Sequence, residues 1–405
     1  MQHQIFPEQP DDSQLLQELM GRVHAYLPLL ERDEIQRLLE GLKAGAEEER
    51  EQIGAYSRRE RLLLDAIPEK TGYPALLELH EELNALEMER FLSFESVPAL
   101  HENCTSYRDA LAGRALRLVE AEMPSPPPLP YALISMGSDG REEQTLITDQ
   151  DYLIVYGDSA LEGADRYFRE FSELLVERLA EIGFKKCTGG IMPSNEQWRG
   201  SLSQWQRRLL SIARYECEDY GKNLMNLFVI SDARYVAGDR ELAEELVTRI
   251  RSLLQDFFVA LWGMAKAATE MQLALGFLKR FWTEGSGEHK GEFNLKLLAW
   301  APLVMNVRIL AINQGIPATS TVKRIELLEK ERSFSANTAR GLIEAYRILT
   351  KHRILLQIKV IKGIQDNVYH LNPYALPKEE REKIRQALLL IEDLQKIIHT
   401  NFSIL

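Results

Sequence analysis

Cations are outnumbered in this sequence, 49 Lys and Arg against 61 Asp and Glu, for a formal net charge of −12. So acidic a chain does not carry a broad nucleic-acid-binding face, because phosphate backbones are held by clustered Lys and Arg. Only a local basic groove is compatible with it. Cysteine is scarce: three residues (Cys104, Cys187 and Cys217), widely spaced and odd in number. They make neither a disulfide frame nor a zinc-ligand pattern and fit the reduced thiols of a cytoplasmic protein. No apolar run approaches the length of a membrane span. The start, MQHQIFPEQPDD, lacks the basic and apolar regions of a secretory signal. There is no G-x-x-x-x-G-K-S/T, which excludes a P-loop enzyme, and the protein-kinase motif set is missing.

What is present is ordinary in bulk. The 405 residues are 45% apolar and 27% charged, enough for two or three soluble domains. One stretch stands apart, PYALISMGSDGREEQTLITDQDYLIVY, from Pro130 to Tyr156. Tyr131 to Met136 reads as a buried strand ending in Gly137-Ser138 and a polar turn. Asp149 and Asp151 then lead into a second apolar run, Tyr152 to Tyr156. In an extended chain, residues two apart share a face and lie about 6.6 Å apart, so both carboxylates project to one side. Such a pair is repulsive unless neutralised. A divalent cation neutralises it, since Mg²⁺ is typically held by one or two carboxylates while phosphates and waters complete its shell. Gly137 lets backbone approach a phosphate, and N–H groups at a following helix start can hold the anion. The bland alternative is a charged hairpin with two solvated aspartates.

The segment GSDGREEQTLITDQD, with Asp-x-Asp eleven residues after the serine, resembles the signature of the nucleotidyltransferase superfamily related to DNA polymerase beta. More closely, it resembles the nucleotidyltransferases that many bacteria attach to CBS or cyclic-nucleotide-binding domains, relatives of the protein-PII uridylyltransferases. The resemblance runs from about residue 90 to 402. It implies an α/β nucleotidyltransferase core with a small mixed sheet, flanked by N-terminal and C-terminal α-helical bundles. It implies Mg²⁺ or Mn²⁺ on Asp149 and Asp151, with a nucleoside triphosphate as substrate. A third carboxylate from a neighbouring strand is expected to be Asp232, after the apolar run Leu224–Ser231 read as that strand; Asp239 reads better as a helix cap. Gly137, Ser138, Arg141 and Arg199 are the nucleotide-binding candidates, with a salt bridge from Arg141 to Glu142 or Glu143 as the structural alternative. Arg199 lies in the loop CTGGIMPSNEQWRG, where Asn195 and Trp198 could also meet a nucleotide. The implied reaction moves a nucleoside monophosphate to a hydroxyl, on a regulatory protein or a small molecule. A nucleotide sensor without catalysis is the remaining alternative. No His is directly followed by Asp, so the hydrolase half of the bifunctional uridylyl-transferring enzymes is not visible.

Along the chain, residues 1–123 read as an N-terminal helical domain. Leu15, Leu16, Leu19, Val23 and Tyr26 form one stripe, and EEEREQ at 47–52 forms a solvated face. Residues 124–130, PSPPPLP, cannot continue a helix and mark a linker. Residues 131–255 are the catalytic domain. Residues 256–405 are helical and substrate-binding-like, with Lys296, Lys351 and Arg353 among the cations that could face the cleft. The helical flanks offer surfaces for a homo-oligomer. Extended nucleic acid and membrane are not expected partners.

Overall fold

The computed structural model describes residues 32–404, apart from Tyr215 and Cys217. The helix expected on Leu15–Tyr26 and the thiol of Cys217 lie outside the described residues. The chain divides into two compact units, Met1–Leu62 and Leu63–Leu405. The described part of the first belongs to helix α1 (Arg32–Ala66), whose EEEREQ segment is exposed along its length.

The second unit opens with α2 (Tyr73–Phe94) and α3 (Val97–Glu122). Each has a proline in its first turn, where the missing N–H costs no hydrogen bond. Strand β1 (Tyr131–Ser135) leads into a one-turn helix, α4 (Gly137–Gly140). Two short strands follow, β2 (Asp149–Gln150) and β3 (Tyr152–Tyr156), then α5 (Ala164–Glu181) and β4 (Lys185–Lys186). Strand β5 (Arg199–Ser201) runs into α6 (Leu202–Ala213), which a full capping box from Ser201 and Gln204 opens. Next come α7 (Tyr220–Ile230), β6 (Arg234–Gly238) and α8 (Arg240–Asp256).

The main sheet has the order β5-β3-β1-β6. Strand β1 runs antiparallel to both neighbours, with Tyr131 opposite Tyr156 and Ala132 opposite Gly238, whereas β5 joins β3 in parallel. All residues of β1 and β3 are buried, so these strands read as continuous apolar runs. Helices α3 and α5 pack together and against the sheet, and α6 and α8 form a second such pair. A helix-flanked α/β core with a small mixed sheet is therefore what the chain builds.

One expectation is corrected. Leu224–Ser231 is not a strand: its residues form most of α7 and its end. Leu224, Leu227 and Phe228 are buried while Met225 is exposed, a spacing of three and four that suits a helix. A short apolar run does not reveal its period, and the strand beside β1 is instead Arg234–Gly238. The proline stretch 124–130 lies inside the second compact unit. Helices α2 and α3 belong to the same unit as the sheet because Arg108 of α3 is fully buried under the loop after α4. Its guanidinium donates to Gln144 Oε1 at 2.9 Å, to Thr145 O at 2.5 Å and to Leu146 O at 3.2 Å.

The remaining chain is a helical bundle without a compact-unit break at residue 256. It contains α9 (Phe258–Thr269), β7 (Phe293–Asn294), a π-helical turn at Lys296–Trp300 and α10 (Ala301–Asn313). Then follow α11 (Thr321–Lys330), α12 (Ala336–Ile361), β8 (His370–Leu371) and α13 (Lys378–Asn401). Against the sequence expectation, Lys296–Asn313 reaches the length and mean hydropathy of a membrane span. It is 67% buried inside the protein and carries Asn306 and Arg308 inward, the pattern of a core helix.

Candidate active site

Strand β1 delivers the chain to Gly137, whose φ of +58° a side chain would strain. A Cβ there would also lie 2.6 Å from Asp151 Oδ2. Glycine is thus required twice, by the turn and by the carboxylate it faces. Met136 N donates to Asp151 O at 2.8 Å, pinning the two segments together. Ser138 follows, half-buried, with no hydrogen bond on its hydroxyl to any described residue.

Asp149 and Asp151 flank Gln150, and Gln150 sets their direction. Its side chain is buried and donates to Val176 O at 3.1 Å and Phe184 O at 3.0 Å. With the middle residue anchored in the core, the two carboxylates take the opposite side. Strand β2 is held by parallel pairing with β4, Asp149 opposite Lys185. Asp149 is exposed and Asp151 half-buried. Burial pushes the Asp151 carboxyl up to about 6, and the charges of Asp149 and Asp139 add to the rise. The Cys187 thiol hydrogen-bonded to it, and the Lys296 ammonium, pull the other way. Asp151 Oδ1 is buried and has no hydrogen-bond partner among the described residues.

This donor set fits a divalent cation of the Mg²⁺ type. Two carboxylates share a side, one oxygen lacks a partner, and Gly137 leaves open the space a Cβ would fill. Among the described residues no group of three or more His, Cys, Asp or Glu side chains could hold a metal. Water and substrate phosphates would have to complete the shell, as Mg²⁺ commonly requires.

The apo protein carries a measurable cost here. A carboxyl whose folded pKa lies above its unfolded value binds more protons when folded, so stability falls as pH rises through that window. For Asp151 the window runs from the ordinary 3.8 to about 6. In chelator at pH 7, Asp151→Asn is expected to raise stability by about 1–3 kcal/mol, at 1.36 kcal/mol per pKa unit. The difference should vanish below pH 4. Urea unfolding of both proteins at the two pH values checks this.

Asp232 stands elsewhere, in the turn between α7 and β6, and is 0% exposed. Its Oδ2 accepts from Arg141 Nη1 at 2.6 Å and from Arg308 Nη2, and its Oδ1 from Arg324 Nη1 at 3.0 Å. Burial alone would raise this carboxyl, but Arg308, Arg141 and Arg324 hold it below its ordinary range. Both oxygens are committed, so the structure does not bring Asp232 to the Asp149–Asp151 pair as a third ligand. Arg141 is likewise enclosed, with Nε 2.7 Å from Glu143 Oε2. Glu143 in turn accepts the Thr321 backbone N–H at 2.6 Å. This buried cluster ties α4 and the α7–β6 turn to α10 and α11. Burial lowers the guanidinium of Arg308 to about 9 although Asp232 opposes it.

Arg199 serves its own loop, Nη1 donating to Pro193 O at 3.1 Å and Ser194 O at 2.8 Å. Asn195 and Trp198 line a separate cavity of about 650 Å³ with Trp205 and Asn226. Asp239 caps α8, accepting from Leu242 N at 3.0 Å.

One cation approaches the acidic pair instead, with a second beside it. Lys296, at the start of the π turn, is half-buried within electrostatic reach of Asp149, Asp151 and Arg353. Arg353 of α12 lies 3.9 Å over the Trp300 ring. Cys187 had no signal in the sequence beyond being a thiol; its place depends on a loop closing over Tyr152, whose N–H donates to Ile191 O at 3.3 Å.

Comparison with known proteins gives two matches. Residues 81–219 match the family model described as "Putative nucleotidyltransferase DUF294". Residues 258–402 match the one described as "Putative nucleotidyltransferase substrate binding domain". Asp232 falls in neither range. No curated protein matches the chain.

Proposed function

Because the chain belongs to the nucleotidyltransferase family of these two models, we propose that it is a divalent-metal-dependent enzyme moving a nucleoside monophosphate from a triphosphate to a hydroxyl. The observation that carries this reading is the juxtaposition of Gly137 with Asp151, whose Oδ1 is unpartnered beside Asp149. Asp149 and Asp151 would hold Mg²⁺ or Mn²⁺. When bound, the ion supplies charge stabilisation at the phosphoryl oxygens and at the leaving group. The Ser138 hydroxyl and the backbone around Gly137 orient the phosphates. The acceptor hydroxyl gives up its proton to water, its oxygen bonds to the α-phosphorus, the bond from that phosphorus to the bridging oxygen breaks, and pyrophosphate leaves. Positioning and electrostatics carry most of such a transfer.

The acceptor is a hydroxyl on a regulatory protein, as in the protein-PII uridylyltransferases. The helical residues 258–402, matched by a substrate-binding description, offer a surface for it. One observation favours a second reading, a nucleotide sensor without catalysis: the site gathers two carboxylates, and Asp232 is committed to arginines.

A thermal-shift screen of ATP, UTP, GTP and CTP, with and without Mg²⁺, tests the proposal. Ligand at 100 times its dissociation constant adds about 2.7 kcal/mol of stability. The expected result is a Mg²⁺-dependent rise with one triphosphate, followed by pyrophosphate release when an acceptor is supplied. Binding without release across candidate acceptors would favour the sensor. No binding of any triphosphate would remove both readings.

A further inference from the structure

We propose that Lys296, which the Asp149–Asp151 pair reaches, and Arg353 beside it form a clamp for the polyphosphate tail of the nucleotide, built by the C-terminal helices. The inference rests on the reading above for the identity of the whole ligand, but not for the binding of its anionic part.

Neither side chain forms an ion pair or a side-chain hydrogen bond with any described residue. That is unusual in a chain of net charge −12, and the contrast is local. Lys351, two residues before Arg353, is paired twice, with Glu95 at 2.7 Å and Glu380 at 3.0 Å. Arg141, the other guanidinium near Trp300, is neutralised by Glu143 and Asp232. Arg353 is paired with no carboxylate among the described residues; Glu143 acts on it only at a distance. It stacks instead at 3.9 Å on Trp300, a buried ring fixed by its own Nε1–H bond to Thr350 Oγ1 at 3.0 Å. Lys296 rests 5.3 Å from the centre of the Tyr369 ring. Both cations are thus positioned by aromatic faces, which orient a charge without neutralising it.

Two half-buried like charges with no directly paired counter-ion repel each other and are poorly solvated. Burial, and Arg353 beside it, lower the Lys296 ammonium; burial likewise lowers Arg353 to about 10. Asp149 and Asp151 favour charged Lys296 but would be occupied by the cation in the loaded site. A ligand with several adjacent anionic oxygens relieves the strain. The planar guanidinium matches two phosphate oxygens and the ammonium adds a point charge, a combination suited to a polyphosphate. The π turn that presents Lys296 closes with Ala301 N donating to Lys296 O. Such turns recur at functional sites because they redirect one side chain within a helix.

Inorganic tripolyphosphate in EDTA is the probe, titrated calorimetrically into the full chain. The wild type is expected to bind it. Lys296→Gln and Arg353→Gln should each weaken binding by about tenfold, as for loss of a charged hydrogen bond. The double variant should lose it, and Arg353→Lys should fall between. Asp149→Asn should bind at least as tightly as wild type, because it removes a repelling charge. A folded double variant that binds as well as wild type, or a wild type that does not bind, overturns the clamp. Clamp binding with no pyrophosphate release from any triphosphate would instead leave the clamp standing and remove the enzyme.

Discussion

Asp232→Ala is expected to destabilise the protein by about 3–5 kcal/mol, the cost of breaking a buried charge cluster by removing one partner. The magnitude follows from what stays behind. Arg141, Arg308 and Arg324 all donate to Asp232, and after its loss only Glu143 remains among them as a counter-charge. These guanidiniums are at most 5% exposed, so water cannot replace the lost carboxylate. Asp232→Asn keeps one acceptor and the volume and should fall between alanine and wild type. A catalytic metal ligand behaves differently, since its removal relieves repulsion in the apo protein and costs activity alone. The urea midpoint of the two variants separates the roles. An Asp232→Ala protein as stable as wild type would show that the cluster does not hold the fold.

Asp149→Asn is expected to lower the rate of nucleotidyl transfer by at least about 10³-fold while leaving stability equal or higher. A bound cation contributes several kcal/mol of transition-state charge stabilisation, and each 1.36 kcal/mol is tenfold in rate. Asp149 is exposed and contributes a charge that raises Asp151, so its neutralisation removes a repulsion from the folded state. Pyrophosphate release by wild type and variant, at matched concentrations of the preferred triphosphate and Mg²⁺, measures the ratio. Unfolding curves on the same samples exclude a folding defect. A stable variant with full activity would remove Asp149 from the chemistry.

How much of this could be read in the sequence varies with the range of the contacts involved. The Gly137–Asp151 segment was legible because its geometry is local: a strand, a turn demanding glycine, and two carboxylates of one parity. Helices α2, α3, α5, α12 and α13 were legible for the same reason, from apolar spacing and end signals. The α7 residues were misread because eight apolar-rich positions satisfy either period, and only the packing of Leu224, Leu227 and Phe228 settles it. The fate of Asp232 was not legible. An aspartate closing an apolar run looks the same whether a metal or three arginines will surround it. Two of those arginines, Arg308 and Arg324, lie 76 and 92 residues further along the chain. Arg141 makes the salt bridge to Glu143 that the sequence offered as its structural alternative, while its second partner, Asp232, lies 91 residues away; Arg199 turns back on Pro193 and Ser194 in its own loop, whose shape the sequence does not give. Lys296 and Arg353 were visible as cations, but being unpaired is a property of the folded neighbourhood.

The most direct test of the Asp149–Asp151 site is Mn²⁺ binding, followed by the electron paramagnetic resonance signal of the free ion in the presence of a non-hydrolysable triphosphate. Wild type is predicted to take up Mn²⁺. Asp149→Asn and Asp151→Asn should each bind it at least about tenfold more weakly, as loss of one of two carboxylate ligands implies. Equal Mn²⁺ affinity in wild type and both variants would contradict the assignment and leave the acidic pair as a charged turn.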